Sequence, residues 1–385
     1  MSRNGYALEE SDLLPLSLGA ALLGTGGGGN PYIGMLRARE LMRMGLTVEV
    51  LPLEAIGDDE RIGSVGGIGA PVVGIEKIKQ GQECLRALRG VEEAAGVKVS
   101  ALISAEIGGS NSIEPILTAA YAGLPVVDGD GMGRAFPELQ MSTFFIYGLD
   151  PSPGAIADDK GNVVVFKSVV DMYWLERFAR HIAVDMGAGA GFATTPMPGA
   201  YVKKVAVPGT LTQALEAGRV ILEARAKHWN VVERVLEKTG AGLVFAGKVA
   251  DVRRELRGGF AVGEARLAGL DDWAGSEARI AIQNENLVLF VDGRAAVMVP
   301  DLIMNLELET GEPVTTEILR FGQRLATIAL PAHALMKTPQ ALAVVGPKAF
   351  GYADLDFVPF AGSAPASRQD QPIAPQAPSR RHSPF

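Results

Sequence analysis

The sequence predicts an α/β protein in two parts: an N-terminal α/β domain with a mostly parallel sheet, then a C-terminal β-rich domain, barrel or sandwich-like, with flanking helices. Two observations predict it. From Thr47 to Ile146, short apolar strand-like runs alternate with helical ones, the pattern of a sheet covered by helices. From Gly242 onward, β-like runs recur between Gly-containing turns, the texture of an antiparallel sandwich or barrel. The expected boundaries are 1–168 for the first domain and 169–360 for the second. A Pro-, Ala-, Ser- and Gln-rich stretch over 361–385 is expected to be a disordered tail.

Taken in order, "ESDLLPLSLGAALLG" reads as a helix from its Leu and Ala content. Acidic residues stand where a signal peptide would be basic, so the expectation is the first helix of a cytoplasmic protein. "GTGGGGNPY" follows, and Asn30-Pro31 announces a second helix, with Asn as cap and Pro in the first turn. The strands "TVEVLPL", "VSALISAEIG" and "LPVVDGD" enclose helices around Cys84 and over "SIEPILTAAYAG". "SPGAIADDKGNVVVFKS" reads as a hairpin turning at Lys160-Gly161-Asn162. Two long helical patterns, Val169 to Met186 and Leu211 to Lys238, lead into the β-rich half.

Composition removes several function classes. No apolar run reaches the roughly 18 to 20 residues that span a bilayer. A net charge of -8 argues against a nucleic-acid surface, which needs a basic stripe. The single cysteine, Cys84, forms no internal disulfide and reads as a buried structural thiol on an amphipathic helix. His181, His228, His333 and His382 lack metal-ligand spacing, and no G-x-S-x-G elbow is present.

Three clusters carry the chemical interest. The glycines of "GTGGGGNPY" precede a helix start, where bare N–H groups suit a carbonyl, carboxylate or phosphate. The P-loop pattern fails because Asn30-Pro31 stands where Lys-Ser/Thr belongs, and the dinucleotide fingerprint fails because a helix precedes the glycines. A pocket wall and a purely conformational turn remain the two readings. "DGDGMGRAFPE" places Asp128, Asp130, Arg134 and Glu138 at a strand end, where paired carboxylates beside a guanidinium can separate their pKa values. "AEIGGSNS" adds Glu106 and Asn111 at another strand end. In the second half, "QNENL" and "VPDLI" set Asn284, Glu285, Asn286 and Asp301 among apolar residues, where each needs a partner.

As an ordered set, "LGTGGGGNPY", "EIGGSNS", "DGDGMGRAFPE", "GKVADVRRE", "QNENL", "VPDLI" and "VGPKAFGY" resemble the S-methyl thiohydantoin desulfurase family, formerly a domain family of unknown function. Its members also occur fused or neighbouring to hydantoinase/oxoprolinase-type proteins. The resemblance runs from about Leu8 to Pro359 and implies the two domains above, with a site lined by the Gly-rich and acidic loops. It implies hydrolysis of a five-membered S-methyl thiohydantoin ring to a hydantoin, with release of methanethiol. Asn30 departs from the family pattern, where Asp is expected in many relatives.

The residues suggest a division of labour for that reaction. Asp130 or Glu106 would activate water, and Asp128 or Glu138 would deliver the proton. Arg134 would face an anionic substituent or developing charge, while the N–H groups of Gly26, Gly27, Gly28 and Gly29, with Asn111, would hold the ring carbonyl. Thr25, Asn30, Asn284 and Glu285 complete the expected substrate-binding set. No cofactor is expected, although Asp128, Asp130 and Glu106 leave a divalent-metal site open. A homo-oligomer is expected, with a small heterocyclic substrate, no nucleic acid and no membrane. The competing class is a non-catalytic, ligand-binding partner of a hydantoinase-type complex.

Overall fold

The computed structural model describes residues 4–69 and 79–362. The tail expected at the C-terminus lies, from Ser363 on, outside the described residues.

Among the described residues, the first sheet contains β1 (Tyr6–Ala7), β2 (Glu49–Pro52), β3 (Arg61–Gly69), β4 (Ala101–Ser104), β5 (Val126–Asp130), β6 (Gly154–Ala157), β7 (Val163–Phe166) and β8 (Gly189–Ala193), with the two-residue strands β9 (Met197–Pro198) and β10 (Val207–Pro208) attached. Its order is β1-β2-β5-β4-β3-β8-β6-β7. The four strands β2, β5, β4 and β3 run parallel, and the flanking strands are antiparallel. β4 is buried along its whole length, as a central parallel strand covered on both faces must be.

β3 has no clear apolar signature in the sequence, because four of its nine residues are glycines: Gly63, Gly66, Gly67 and Gly69. Their use is tertiary: a Cβ at Gly63 would press on Leu88, Val99 and Leu102, and Asn111 leans over Gly66 and Gly67. The hairpin expected at Lys160-Gly161-Asn162 forms as β6 and β7. β8, β9 and β10 lie beyond residue 168 yet pair with β3, β6 and β5, so the chain returns to the first sheet before building the second.

Helices cover this sheet: α1 (Glu10–Leu23), α2 (Tyr32–Arg43), α3 (Glu83–Ala95), α4 (Glu114–Ala122), α5 (Thr143–Ile146), α6 (Met172–Asp185), α7 (Gly199–Val205) and α8 (Thr210–Ala226). α1 and α8 cross closely, Gly19 against the Ala214 carbonyl and Gly218 against that of Pro15, and any side chain at either glycine would collide with backbone. The long helical pattern expected from Leu211 to Lys238 is two helices. It breaks at His228, whose φ is 55°, and restarts as α9 (Val231–Thr239), where Asn230 Oδ1 accepts from Glu233 N at 3.2 Å.

The second sheet is antiparallel throughout: β11 (Gly242–Arg257), β12 (Phe260–Gly269), β13 (Glu277–Gln283), β14 (Glu285–Val291), β15 (Arg294–Met298), β16 (Leu302–Glu307) and β17 (Arg324–Leu330), in the order β15-β14-β13-β12-β11-β17-β16. It curls into a half-barrel whose two edges approach each other without joining into one ladder. Phe245, Val249, Leu267, Ile280, Leu289, Ile303 and Leu325 form one apolar cluster of this sheet. A further apolar cluster is continuous between the two halves, joining Leu16 and Leu215 of the helices to Val288, Phe290 and Met304 of the second sheet. At roughly 25 cal/mol per Å² of apolar surface, that shared burial holds the halves in one arrangement.

Candidate active site

The C-terminal ends of parallel strands leave their loops unpaired, and there the chain builds a cavity of about 410 Å³. Its walls come from β3, the loops after β4 and β5, the Gly-rich loop with the start of α2, β8, Arg180 of α6, and Asn284-Glu285 at the tip of the β13–β14 hairpin.

The Gly-rich loop is a clasp between three parts of the molecule. Thr25, held at φ 52°, accepts from Asn286 N at 2.8 Å, and the Gly26 carbonyl accepts from Thr316 N at 2.9 Å. A side chain at residue 27 would overlap the carboxyl group of Glu285, and one at residue 28 would overlap the Gly108 carbonyl. Gly108 in turn lies against Gly24 and Ala135, and Ser110 N donates to the carbonyls of Gly28 at 2.9 Å and Gly29 at 3.1 Å. The two glycine loops therefore interlock because neither carries a Cβ where they meet. Gly28, Gly29 and Asn30 reach the cavity; Thr25, Gly26 and Gly27 stand behind it, joining it to the second sheet. The helix starts one residue later than expected, with Pro31 at the cap position, and Asn30 stands just ahead of it, its Oδ1 accepting from Tyr32 N at 2.9 Å.

Glu106 lies on the cavity wall, 6% exposed, and each of its oxygens is held. Oε1 accepts from Asn111 Nδ2 at 2.6 Å and Oε2 from Phe136 N at 3.0 Å. Asn111 is oriented by a bond of 2.7 Å from Gly67 N to its Oδ1, which fixes which end of the amide faces Glu106. Burial pushes the Glu106 carboxyl up to about 7, against the opposing pull of Asn111, the Phe136 N–H and the Arg134 charge.

Glu285 reaches the same cavity from the second sheet, and it is 2% exposed. Its Oε2 has no hydrogen-bond partner among the described residues. Burial raises its carboxyl well above the ordinary range and the negative charge of Glu106 raises it further, while Arg134 opposes both. Asn284 sets its position: at φ 57° it turns the hairpin tip, donates to the Ala261 carbonyl at 2.7 Å and accepts from Ala261 N at 2.9 Å. A left-handed residue at this position suits Asn far better than a branched side chain.

The carboxylates of β5 are used differently from the sequence expectation. Asp128 points at the start of α8, where Oδ1 accepts from Leu211 N at 2.9 Å and Thr212 N at 3.2 Å, and Oδ2 from Thr212 Oγ1 at 2.5 Å. It caps a helix and does not line the cavity. Asp130 is fully buried, and its oxygens accept from Ile107 N at 2.7 Å, Met132 N at 3.2 Å and Gly133 N at 2.9 Å, tying the loops after β4 and β5 together. Burial pushes it up to about 7, with those N–H groups opposing. Among the described residues, no three His, Cys, Asp or Glu side chains converge in a way that could hold a metal ion, and Asp128, Asp130 and Glu106 form no such group.

Arg134 also leaves its expected place. It is fully buried behind the wall, donating to the carbonyls of Ala135 at 3.0 Å, Asn286 at 2.9 Å and Asp301 at 2.7 Å, and its guanidinium lies over the Phe136 ring. Burial lowers it to about 10, partly offset by the charges of Glu285, Asp301 and Glu106. It ties the β5 loop to the second sheet and does not line the cavity. Asp301 is likewise structural, accepting from Ala332 N at 2.7 Å and Phe360 N at 2.6 Å. Glu138 does reach the cavity, with its carboxyl raised by burial and hydrogen-bonded to Gln140.

The cavity also contains groups that the sequence motifs did not single out. Arg180 of α6 pairs with Glu176 and donates to the Pro137 carbonyl at 2.9 Å. Lys79 pairs with Glu114 at 2.7 Å, and Arg37 stands 4.0 Å from the same carboxylate. Burial pushes Glu114 up, but the charges of Lys79 and Arg37 outweigh it and hold the carboxyl below its ordinary range. The one sequence signal for this side was the glycine content of β3, which marks a strand that other groups approach closely.

No helix among the described residues is long and apolar enough to cross a membrane. Fold and site together define a two-part α/β protein whose carboxyl-lined cavity takes residues from a parallel-centred sheet and from the tip of a curled antiparallel one. The chain belongs to the S-methyl thiohydantoin desulfurase-like family: residues 11–168 match the N-terminal domain model of S-Me-THD-like proteins and residues 170–360 the C-terminal one. A crystal structure of a protein from Chromobacterium violaceum has a similar fold, with a TM-score of 0.77 and 25% identity over 92% of this chain and 100% of that one. No curated protein matches the chain significantly.

Proposed function

We propose that this protein hydrolyses an S-methyl thiohydantoin to the corresponding hydantoin and methanethiol, with Glu106 as the base that activates water. The observation that carries the reading is the Glu106 carboxyl, buried on the cavity wall of a chain of this family, held by Asn111 and Phe136 N and poised at about 7. A base is most effective when its pKa lies near the working pH, because it is then both ionised and basic enough to accept the proton.

The ring carbon that bears sulfur is doubly bonded to nitrogen and is open to attack by water. Glu106 takes one proton from that water as the C–O bond forms. When the C–S bond of the tetrahedral species breaks, the same proton leaves with sulfur as methanethiol. Asn111 positions Glu106, and Asp130 positions both through the backbone of the loop after β4. Gly28, Gly29 and Asn30 supply a neutral wall for the ring.

Incubation of the protein with S-methyl thiohydantoins, with thiol release followed colorimetrically, tests this directly. Thiol should appear without ATP, and E106Q should lower kcat by about 10²- to 10⁴-fold while thermal unfolding stays cooperative. Ligand binding without thiol release would instead favour a non-catalytic partner of a hydantoinase-type complex.

A further inference from the structure

We infer that Glu285, delivered by the second sheet, is the catalytic acid that protonates the ring nitrogen, so that neither half of the chain holds a complete site. The inference rests on the hydrolytic reading above and adds the group that reading lacks.

Geometry carries it. The Glu285 side chain enters the cavity at a place that only a glycine at position 27 leaves free, and its tip is built to hold it there. Asn284 is pinned to Ala261 on one side, Asn286 donates to Thr25 and to the Ile303 carbonyl on the other, and Arg134 ties the Asn286 carbonyl to the first half. The main chain of these neighbours is bonded, whereas Glu285 Oε2, like the Asn286 and Thr25 side-chain oxygens beside it, has no hydrogen-bond partner among the described residues. A buried carboxyl oxygen without a partner costs about 1–3 kcal/mol, and a ligand that bonds to it removes that cost.

Burial and charge together set which form it takes. The groups facing Glu285 are Glu106, which raises its carboxyl, and Arg134 and Arg180, which lower it; burial is the largest influence and favours the neutral acid. The two carboxyls are unlike in their surroundings: Glu106 is held by Asn111 and Phe136 N, which favour its charged form, whereas burial and the Glu106 charge both favour the neutral acid at Glu285.

The proton and electron count closes with these two groups. As water attacks, the C=N electron pair moves to the ring nitrogen, which takes the Glu285 proton; the water proton goes to Glu106. As the C–S bond breaks, sulfur takes the Glu106 proton. The hydroxyl of the tetrahedral species then gives its proton to Glu285 as the new carbonyl forms. Hydantoin and methanethiol leave, and both carboxyl groups return to their starting states.

The test measures kcat and KM of the wild type, E285Q and E285D between pH 5 and 10 with an S-methyl thiohydantoin. The wild type should show a rising limb from Glu106 and a falling limb from Glu285. E285Q should lose at least 100-fold in kcat with KM within about threefold, and should lose the falling limb while keeping the rising one. E285D should retain more activity than E285Q and keep a falling limb. A wild type that turns over with no falling limb, or an E285Q enzyme within fivefold of it, overturns the assignment and leaves the hydrolytic reading standing. No turnover by the wild type with any such substrate overturns the hydrolytic reading itself. Should E285Q fail to fold, the wild-type profile and E285D still decide.

Discussion

The loop after β4 aims a carboxyl group at the cavity, whereas the strand end and loop at β5 spend two on backbone. Glu106 accepts one side-chain and one main-chain hydrogen bond and remains on the wall. Asp130 accepts three main-chain N–H groups and Asp128 caps α8, and neither touches the cavity. Two strands side by side in one sheet thus end in carboxylates of opposite use. The density of acidic residues in a segment measures how much polar bonding its backbone needs as readily as it marks chemistry.

Substitutions can break or sharpen this contrast. The largest effect on stability is expected for D130A, which leaves the N–H groups of Ile107, Met132 and Gly133 buried without their acceptor. Urea denaturation should show a loss of about 3 kcal/mol or more. Unchanged stability with lost activity would move Asp130 from scaffold to chemistry and erase the distinction.

A smaller effect separates the two loops by pH. The Glu106 carboxyl is raised from 4.5 to about 7 on folding, so between those values the folded state binds more protons than the unfolded one. Its contribution to stability is therefore full below about 4.5 and falls as pH rises through about 7. E106Q should match the wild type near pH 4 and exceed it near pH 8 in chemical denaturation. An equal pH slope in the two proteins would place Glu106 in an environment no different from water. The smallest effect is expected for D128A, where loss of a helix cap should lower stability by about 1 kcal/mol with turnover, per folded protein, retained. A D128A enzyme that is stable but inactive would return Asp128 to the catalytic candidates.

Much of the architecture is legible in the sequence, because periodicity is a local property of the chain. β4, β5, α4 and the β6–β7 hairpin lie where the apolar runs and turn residues put them. β3 was not legible, since its glycines are explained only by what packs over them. The return of β8, β9 and β10 to the first sheet is equally non-local, a matter of edge pairing between segments far apart in sequence. Within the candidate site, Glu106, Asn111, Glu138, Gly28, Gly29, Asn30, Asn284 and Glu285 were all marked by the motifs and all line the cavity. Arg37, Lys79, Glu114 and Arg180 were not, because single charged residues on amphipathic helices or loop ends look the same whether they face solvent or a cavity.

The opening glycines of "GTGGGGNPY" show the division most clearly. Sequence by itself determined that this loop is no P-loop and no dinucleotide fingerprint, that a helix starts at Asn30-Pro31, and that the chain belongs among the S-methyl thiohydantoin desulfurase-like proteins. Only tertiary structure decided which atoms the glycines make room for: the Gly108 backbone at Gly28 and the Glu285 carboxyl at Gly27. A glycine in a sequence records the absence of a Cβ, and the group that requires that absence lies elsewhere in the chain.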